Sequence, residues 1–274
     1  MKFALVDSKK TEATKGAVGV CPICSAELIA KCGEIKISHW AHKKIRNCDP
    51  WWENETEWHR SWKNNFPEEW QETSLCDEQT GEKHIADIYT LHKLVIEFQH
   101  SHIVPQERNL REAFYKKMVW VVDGTRLKND YTRFFSRKDD FQEIKEAVFC
   151  VAFPDEHFPT AWSYSTVPII FDFRGTESIN DPKDMRNHLY CVFPKRIGNY
   201  AVLAIIPREF FIKGAQNGSW LRWAQNTNNS INQFNKESVN RTVIFHRRRQ
   251  NSHPGSIQSN LKFQRRSEVK RRRF

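Results

Sequence analysis

No stretch of this 274-residue chain stays apolar for long. Its longest apolar runs, Ala147–Phe153 and Ala201–Ile206, fall far short of the roughly 20 residues that a bilayer-spanning helix needs. Met1 to Lys10 has no apolar core followed by a small-residue cleavage site, so no secretory leader is expected. Both absences argue against a membrane or secreted protein and for a cytoplasmic one. No internal repeat is present either. Cysteine is present but not in pairs: there are seven, and two of them form a Cys-x-x-Cys. Without a leader, that pattern points to reduced thiols and a metal rather than to a disulfide framework.

An excess of basic charge is missing from most of the chain. The net charge is +10, yet residues 241–274 hold 11 of the 43 Lys and Arg and only one of the 33 acids. Residues 1–240 are therefore balanced at 32 of each sign. The tail concentrates its charge at Arg247, Arg248 and Arg249 and again at Arg271, Arg272 and Arg273, with Phe245, Phe263 and Phe274 near these blocks. Such a segment can contact nucleic-acid phosphates without fixed geometry, or can simply aid solubility. The six arginines are the candidate nucleic-acid contacts here.

With 39% apolar and 28% charged residues the chain is globular but polar, large enough for a real core. Four stretches are expected: a zinc-binding module at 1–50, an α/β core at 51–150, a second α/β region at 151–235, and a flexible basic tail at 236–274. In the second stretch, Trp58, Trp62 and Phe66 recur at helical spacing within a helix over 53–66, stopped by Pro67. Strands are expected at 70–76, 84–90 and 94–99. A helix then opens at Pro105 and runs to about 117, with Leu110 and Phe114 on its buried side. A strand at 118–122 closes the series. In the third stretch, 188–193 and 200–206 read as paired strands, followed by a helix from Pro207. Trp220, Trp223 and Arg222 suit core packing, or stacking on bases. This region is also the candidate surface for a protein partner.

Cys21-Pro-Ile-Cys24 is followed, after 14 residues, by His39-Trp-Ala-His42. Two sulfurs from a tight turn and two imidazoles complete a tetrahedral Zn²⁺ site, structural because no ligand position is left open. Cys32 and Cys48 are alternatives for one histidine.

Asp87 and Glu97 lie in successive strands, and Gln99 shares the face of Glu97. A carboxylate in an apolar strand is costly unless it is paired or binds a cation. Two such acids can share Mg²⁺ or Mn²⁺, which would activate water and polarise phosphorus. The plainer alternative has Asp87 capping a turn and Glu97 paired with a lysine.

Several segments together resemble the competence protein CoiA-like family. They are His84-Ile-Ala-Asp87-Ile, Val95-Ile-Glu97-Phe-Gln99-His-Ser101-His-Ile103, Arg111 with Tyr115 and Trp120, Glu57-x-His59-x-x-x-Lys63, and the Cys-x-x-Cys/His-x-x-His pair. The resemblance spans about 15–125 and implies a restriction-endonuclease-like PD-(D/E)xK core of αβββαβ order, within an α+β chain. The order read from the residues agrees with it. The resemblance further implies a metal-dependent nuclease acting on DNA, RNA not excluded, in prokaryotic competence or anti-phage defence, with Asp87 and Glu97 as metal ligands. Gln99 stands where many such nucleases carry a lysine, and Lys63 would supply the missing charge. Glu57 would be a further acid of the site. Arg111 and Tyr115, at i and i+4, would contact phosphate or pack together. The competing reading is an inactive zinc-containing nucleic-acid-binding scaffold. His84, His100 and His102 are weaker general-base candidates.

Overall fold

A computed structural model describes residues 1–34, 36–44, 48–51, 53–136, 138 and 141–238. The tail arginines Arg247–Arg249 and Arg271–Arg273 lie outside the described residues. The compact unit Met1–Asn235 holds all that follows except the last three residues of the final helix.

The chain begins with a five-stranded antiparallel sheet. Its strands are β1 (Phe3–Val6), β2 (Lys9–Glu12), β3 (Val18–Val20), β4 (Glu27–Lys31) and β5 (His39–His42), in the order β2-β1-β3-β4-β5. Its small core closes around Leu28, Trp40 and Cys21. At Gly19 the sheet packs so tightly that a Cβ would come within 2.9 Å of the Ala4 methyl.

Next come α1 (Glu57–Lys63), β6 (Gln71–Cys76), β7 (Lys83–Tyr89), β8 (Val95–Gln99), α2 (Pro105–Tyr115) and β9 (Met118–Asp123). They are followed by α3 (Asp130–Phe135), β10 (Phe141–Lys145), β11 (Val148–Val151), α4 (Pro154–His157), β12 (Ile169–Asp172), β13 (His188–Val192), β14 (Ala201–Pro207), α5 (Arg208–Asn217) and α6 (Ser219–Ser238). The chain is thus a mixed α+β protein in which strands dominate. From α1 to β9 the order is helix, three strands, helix, strand, as the residue patterns indicate. Antiparallel β6-β7-β8 is joined by α2 to β9, which runs parallel to β8.

The sheet does not stop at residue 150. β9 pairs in parallel with β12, and one nine-stranded sheet runs β10-β11-β14-β13-β12-β9-β8-β7-β6. The expected boundary at 150 falls inside β11, which pairs with β14. β8, β9 and β12 are buried along their whole length because helices cover both faces. One face carries α1, α5 and α6 over Trp58, Trp62, Phe98, Phe211 and Trp220. The other carries α2, α3 and α4 over Tyr115, Trp120, Phe134 and Phe171.

Two helices differ from their sequence patterns. α1 starts at Glu57 rather than 53, because Thr56 caps it: the Thr56 hydroxyl accepts from the His59 amide and His59 Nδ1 accepts from the Thr56 amide. That leaves 53–56 outside the helix. α2 buries Arg108, Arg111, Glu112 and Tyr115, while Leu110 is 61% exposed. Its inward face follows i, i+3, i+4, i+7 spacing but is polar. Charges can be buried there because they meet partners, as in Arg108–Glu112 and Arg111–Glu97.

Candidate active-site cavity and metal cluster

The site arises where a β-ladder breaks. β7 and β8 pair at Tyr89/Val95 and Ile88/Ile96, and the next rung would be Asp87/Glu97. Instead the two strands part, and each carboxylate takes a backbone donor of the other strand. The Asp87 amide donates to Glu97 Oε1 at 3.1 Å, and the Phe98 amide donates to Asp87 Oδ2 at 2.9 Å. On the other side, Glu72 of β6 stands opposite Asp87 and is skipped by the ladder, with φ at +45°. A non-glycine residue in that region is strained. The Glu72 carboxylate accepts from the Lys2 and Phe3 amides and meets Lys63, and by register one row across three strands reads Glu72, Asp87, Glu97.

A cation reaches this row from another element. Lys63 Nζ, at the end of α1, lies 2.9 Å from Asp87 Oδ1 and 3.1 Å from both Glu55 Oε2 and Glu72 Oε1. Each N–H of the ammonium therefore has a carboxylate to meet. α1 is fixed in turn by Trp58 and Trp62, whose indole N–H groups both donate to the buried Asp172, at 3.0 and 2.9 Å. Burial works against charge on Lys63, but Asp87, then Glu72 and Glu55, outweigh it and raise its pKa well above normal. Glu72 also resists burial and is held down to about 2 by Lys63. Glu97 goes the other way. Burial and then the Asp87 charge push it up to about 8, against the pull of Arg111. Two adjacent carboxylates of which one is driven toward neutrality form a hard-oxygen donor pair that suits a divalent cation. The cavity they line is about 70 Å³, room for a few waters rather than for a nucleotide.

Glu53 and His59 line the same cavity. Because a backbone amide can only donate, His59 Nδ1 is the acceptor and a neutral ring carries its proton on Nε2. That nitrogen is 3.8 Å from Glu53 Oε2, and both atoms are buried without a hydrogen bond among the described residues. Burial opposes ionisation of Glu53, but the His59 contact and the Ser101 amide lower its pKa.

The second candidate site is a ring of sulfur and nitrogen beside the cavity. The ligand atoms of Cys21, Cys24, His42 and Cys48 all lie within 4.8 Å of one another. Cys21 and Cys48 sulfurs are 3.5 Å apart, and Cys24 Sγ is 3.4 Å from His42 Nε2. A tetrahedron with Zn–S bonds of about 2.3 Å separates its sulfurs by about 3.7 Å, so this donor set could hold Zn²⁺. The Cys-x-x-Cys turn is closed by the Ser25 amide donating to the Cys21 carbonyl and the Cys21 amide donating to Ala26. His39 is not among the ligands. In β5, residues three apart point to opposite faces, so His42 reaches the cysteines while His39 Nδ1 turns to the Ile37 carbonyl at 2.9 Å. Cys48 takes its place. Cys32 Sγ instead faces the Ala13 carbonyl.

Other sequence candidates are placed as follows. Glu57 is exposed on α1 and does not line the cavity, because the late helix start points it outward. Glu55 and Glu72 occupy the acid positions there instead. Neither has a motif in the sequence, since one depends on the cap at Thr56 and the other on the Lys2 and Phe3 amides. Gln99 is buried, and its amide nitrogen faces Ser101 at 3.2 Å. Arg111 is buried, not presented to phosphate: it holds Glu97 Oε2 at 3.2 Å, Glu107, and the Trp51 carbonyl at 2.7 Å. Tyr115 is buried among Trp51 and Phe114, and burial drives its hydroxyl pKa well up. His84 lies on the face of β7 opposite Asp87, bound to Asp49 and Glu82. His100 pairs with Asp123 at 2.7 Å, and His102 is exposed.

Among known proteins, residues 6–50 match the family model described as competence protein CoiA, N-terminal domain. The matched segment contains Cys21, Cys24, His42 and Cys48. No curated protein and no solved structure matches the chain. No described helix is long and apolar enough to cross a membrane.

Proposed function

We propose that the chain, whose residues 6–50 match the CoiA N-terminal-domain model, is a CoiA-like protein with a competence-related function, a nuclease that hydrolyses DNA phosphodiester bonds with Mg²⁺ or Mn²⁺. The supporting observation is the parted pair of strands, with Asp87 and Glu97 side by side and Lys63 brought to them from α1. Asp87 and Glu97 would hold the ion. When bound, it lowers the pKa of a coordinated water and polarises the phosphoryl group. Lys63 keeps its positive charge beside Asp87 and restores on that side the cation that Gln99 does not provide. Arg111 fixes the rotamer of Glu97. His59, with its Nε2–H toward Glu53, is positioned to pass a proton at the cavity wall. The biological setting that suits this chemistry is DNA processing in competence, or defence against phage.

One observation favours a second reading, a nucleic-acid-binding scaffold without hydrolysis. Asp87 and Glu97 each already have a basic partner, Lys63 and Arg111, so neither carboxylate is left unpaired without an added ion. Incubation with linear, nicked, supercoiled and single-stranded DNA, with and without Mn²⁺, separates the two. On the nuclease reading the parent cuts, while Asp87→Ala and Glu97→Ala each lose cleavage and still bind DNA. No cutting by the parent on any DNA or RNA selects the scaffold. Full cutting by the double variant places the chemistry elsewhere.

A further inference from the structure

A wide groove of about 720 Å³ lies at the start of β8, β9 and β12, the opposite end of these strands from Gln99 and Asp123. Its walls are the turn at His92, the turn at Lys116–Lys117 that closes α2, the turn at Pro194–Lys195 after β13, and the first turns of α6. Apart from His92, the titratable residues lining it are all basic: Lys116, Lys117, Lys195 and Arg222. These four are exposed. Lys116, Lys195 and Arg222 form no ion pair with another described residue. Positions 1–240 balance 32 cations against 32 acids, so a groove with four cations and no carboxylate is a separation of charge, not a consequence of composition. On α6, Arg222, Gln225 and Asn229 recur at i, i+3 and i+7 and extend one polar stripe along the groove.

The floor excludes one kind of recognition. Trp220, a candidate for base stacking by sequence, is 1% exposed and packs on Phe211 in the core. With that ring turned inward, the groove offers charge and amide groups but not the face of Trp220. Cations spread over two turns and a helix suit an extended polyanion better than a small anion.

We propose that this groove is a docking track for the sugar-phosphate backbone of a nucleic acid, bound without base-sequence preference. The proposal rests on the nucleic-acid reading above but not on hydrolysis. Lys116, Lys195 and Arg222 make the phosphate contacts, and Gln225 and Asn229 add neutral hydrogen bonds. An acidic protein segment is the rival occupant. The absence of any carboxylate from the lining and the spread of its cations over separate elements favour the continuous charge of a nucleic-acid backbone.

The test is a full-length triple charge reversal, Lys116→Glu, Lys195→Glu and Arg222→Glu, titrated with a labelled mixed-sequence DNA oligonucleotide over a range of salt without Mg²⁺ or Mn²⁺. Affinity should fall at least tenfold near 0.1 M salt. The log–log salt slope should flatten by about two to three, at about 0.7–0.9 for each phosphate that the protein no longer neutralises. Lys116→Arg, Lys195→Arg and Arg222→Lys together should keep the parental curve. The melting temperature should not move, since the residues are exposed. An unchanged slope in the reversed variant overturns the proposal, as does a loss confined to poly-glutamate with DNA binding intact. Asp87→Ala should retain the groove-dependent binding. Failure of cleavage and failure of this surface therefore appear as separate results.

Discussion

The carboxylate row and the cysteine–histidine cluster share one cavity wall, at His42 and Cys48, yet they balance charge in opposite ways. The row meets cations that the chain itself supplies, with Lys63 touching three acids and Arg111 a fourth. The cluster crowds three sulfurs and an imidazole together, and no lysine or arginine of the described residues pairs with them. A site whose acids are paired from within holds its shape whether or not an ion arrives. A site of soft donors without an internal cation depends on the metal for its order.

Removing metal gives the largest expected effect. Purified protein should carry about one zinc per chain, and a chelator should unfold the module around β3, β4 and β5 while α1 to β9 stays protected from protease. Cys48→Ser should lose zinc and His39→Ala should keep it. A module that remains folded when metal-free breaks the comparison.

Lys63→Met comes next. It leaves Glu55, Glu72 and Asp87 buried without their common cation, and about 3–5 kcal/mol of stability should be lost in denaturant titration. A loss under about 1 kcal/mol would mean that these acids are held protonated rather than ion-paired.

A smaller effect concerns pH. Glu97 has its folded pKa raised from 4.5 to about 8. Between those values the native state keeps a proton that the unfolded chain has released, so this group's contribution to stability declines as pH rises through that window. Glu97→Gln should flatten that decline in melting temperature. A variant with the parental pH profile would show that Glu97 is ionised throughout.

The smallest effect is expected for Glu57→Ala. An exposed carboxylate outside the cavity should change stability by no more than about 0.5 kcal/mol and leave cleavage unaltered. A large loss of activity would return Glu57 to the site.

Local pattern makes much of this protein legible. Alternation marks β7, an apolar run marks β8, and Pro105 opens α2 at its first position. The Cys-x-x-Cys turn is a contiguous motif, and the 10-residue spacing from Asp87 to Glu97 places them on adjacent strands. Hydrophobic periodicity misplaces the faces of α2, because it assumes an apolar inward side. Here Arg108, Arg111 and Glu112 are inside and Leu110 is outside.

Residues near one another along the chain settle the order of helices and strands from α1 to β9, the cysteine turn, and which two acids become neighbours. Steric preference and side-chain periodicity act directly at that range, so these features can be read without coordinates. Long-range packing decides what surrounds them. It selects Cys48 over His39, because strand alternation sends His39 and His42 to opposite faces. It selects Glu55 and Glu72 over Glu57, because a cap and the Lys2 and Phe3 amides set their directions. It joins the halves on either side of residue 150 into one sheet through β9 and β12. The Cys21–Cys48 approach and the β9–β12 pairing join groups far apart in the chain, and only burial against a specific partner fixes which pairing has the lower free energy.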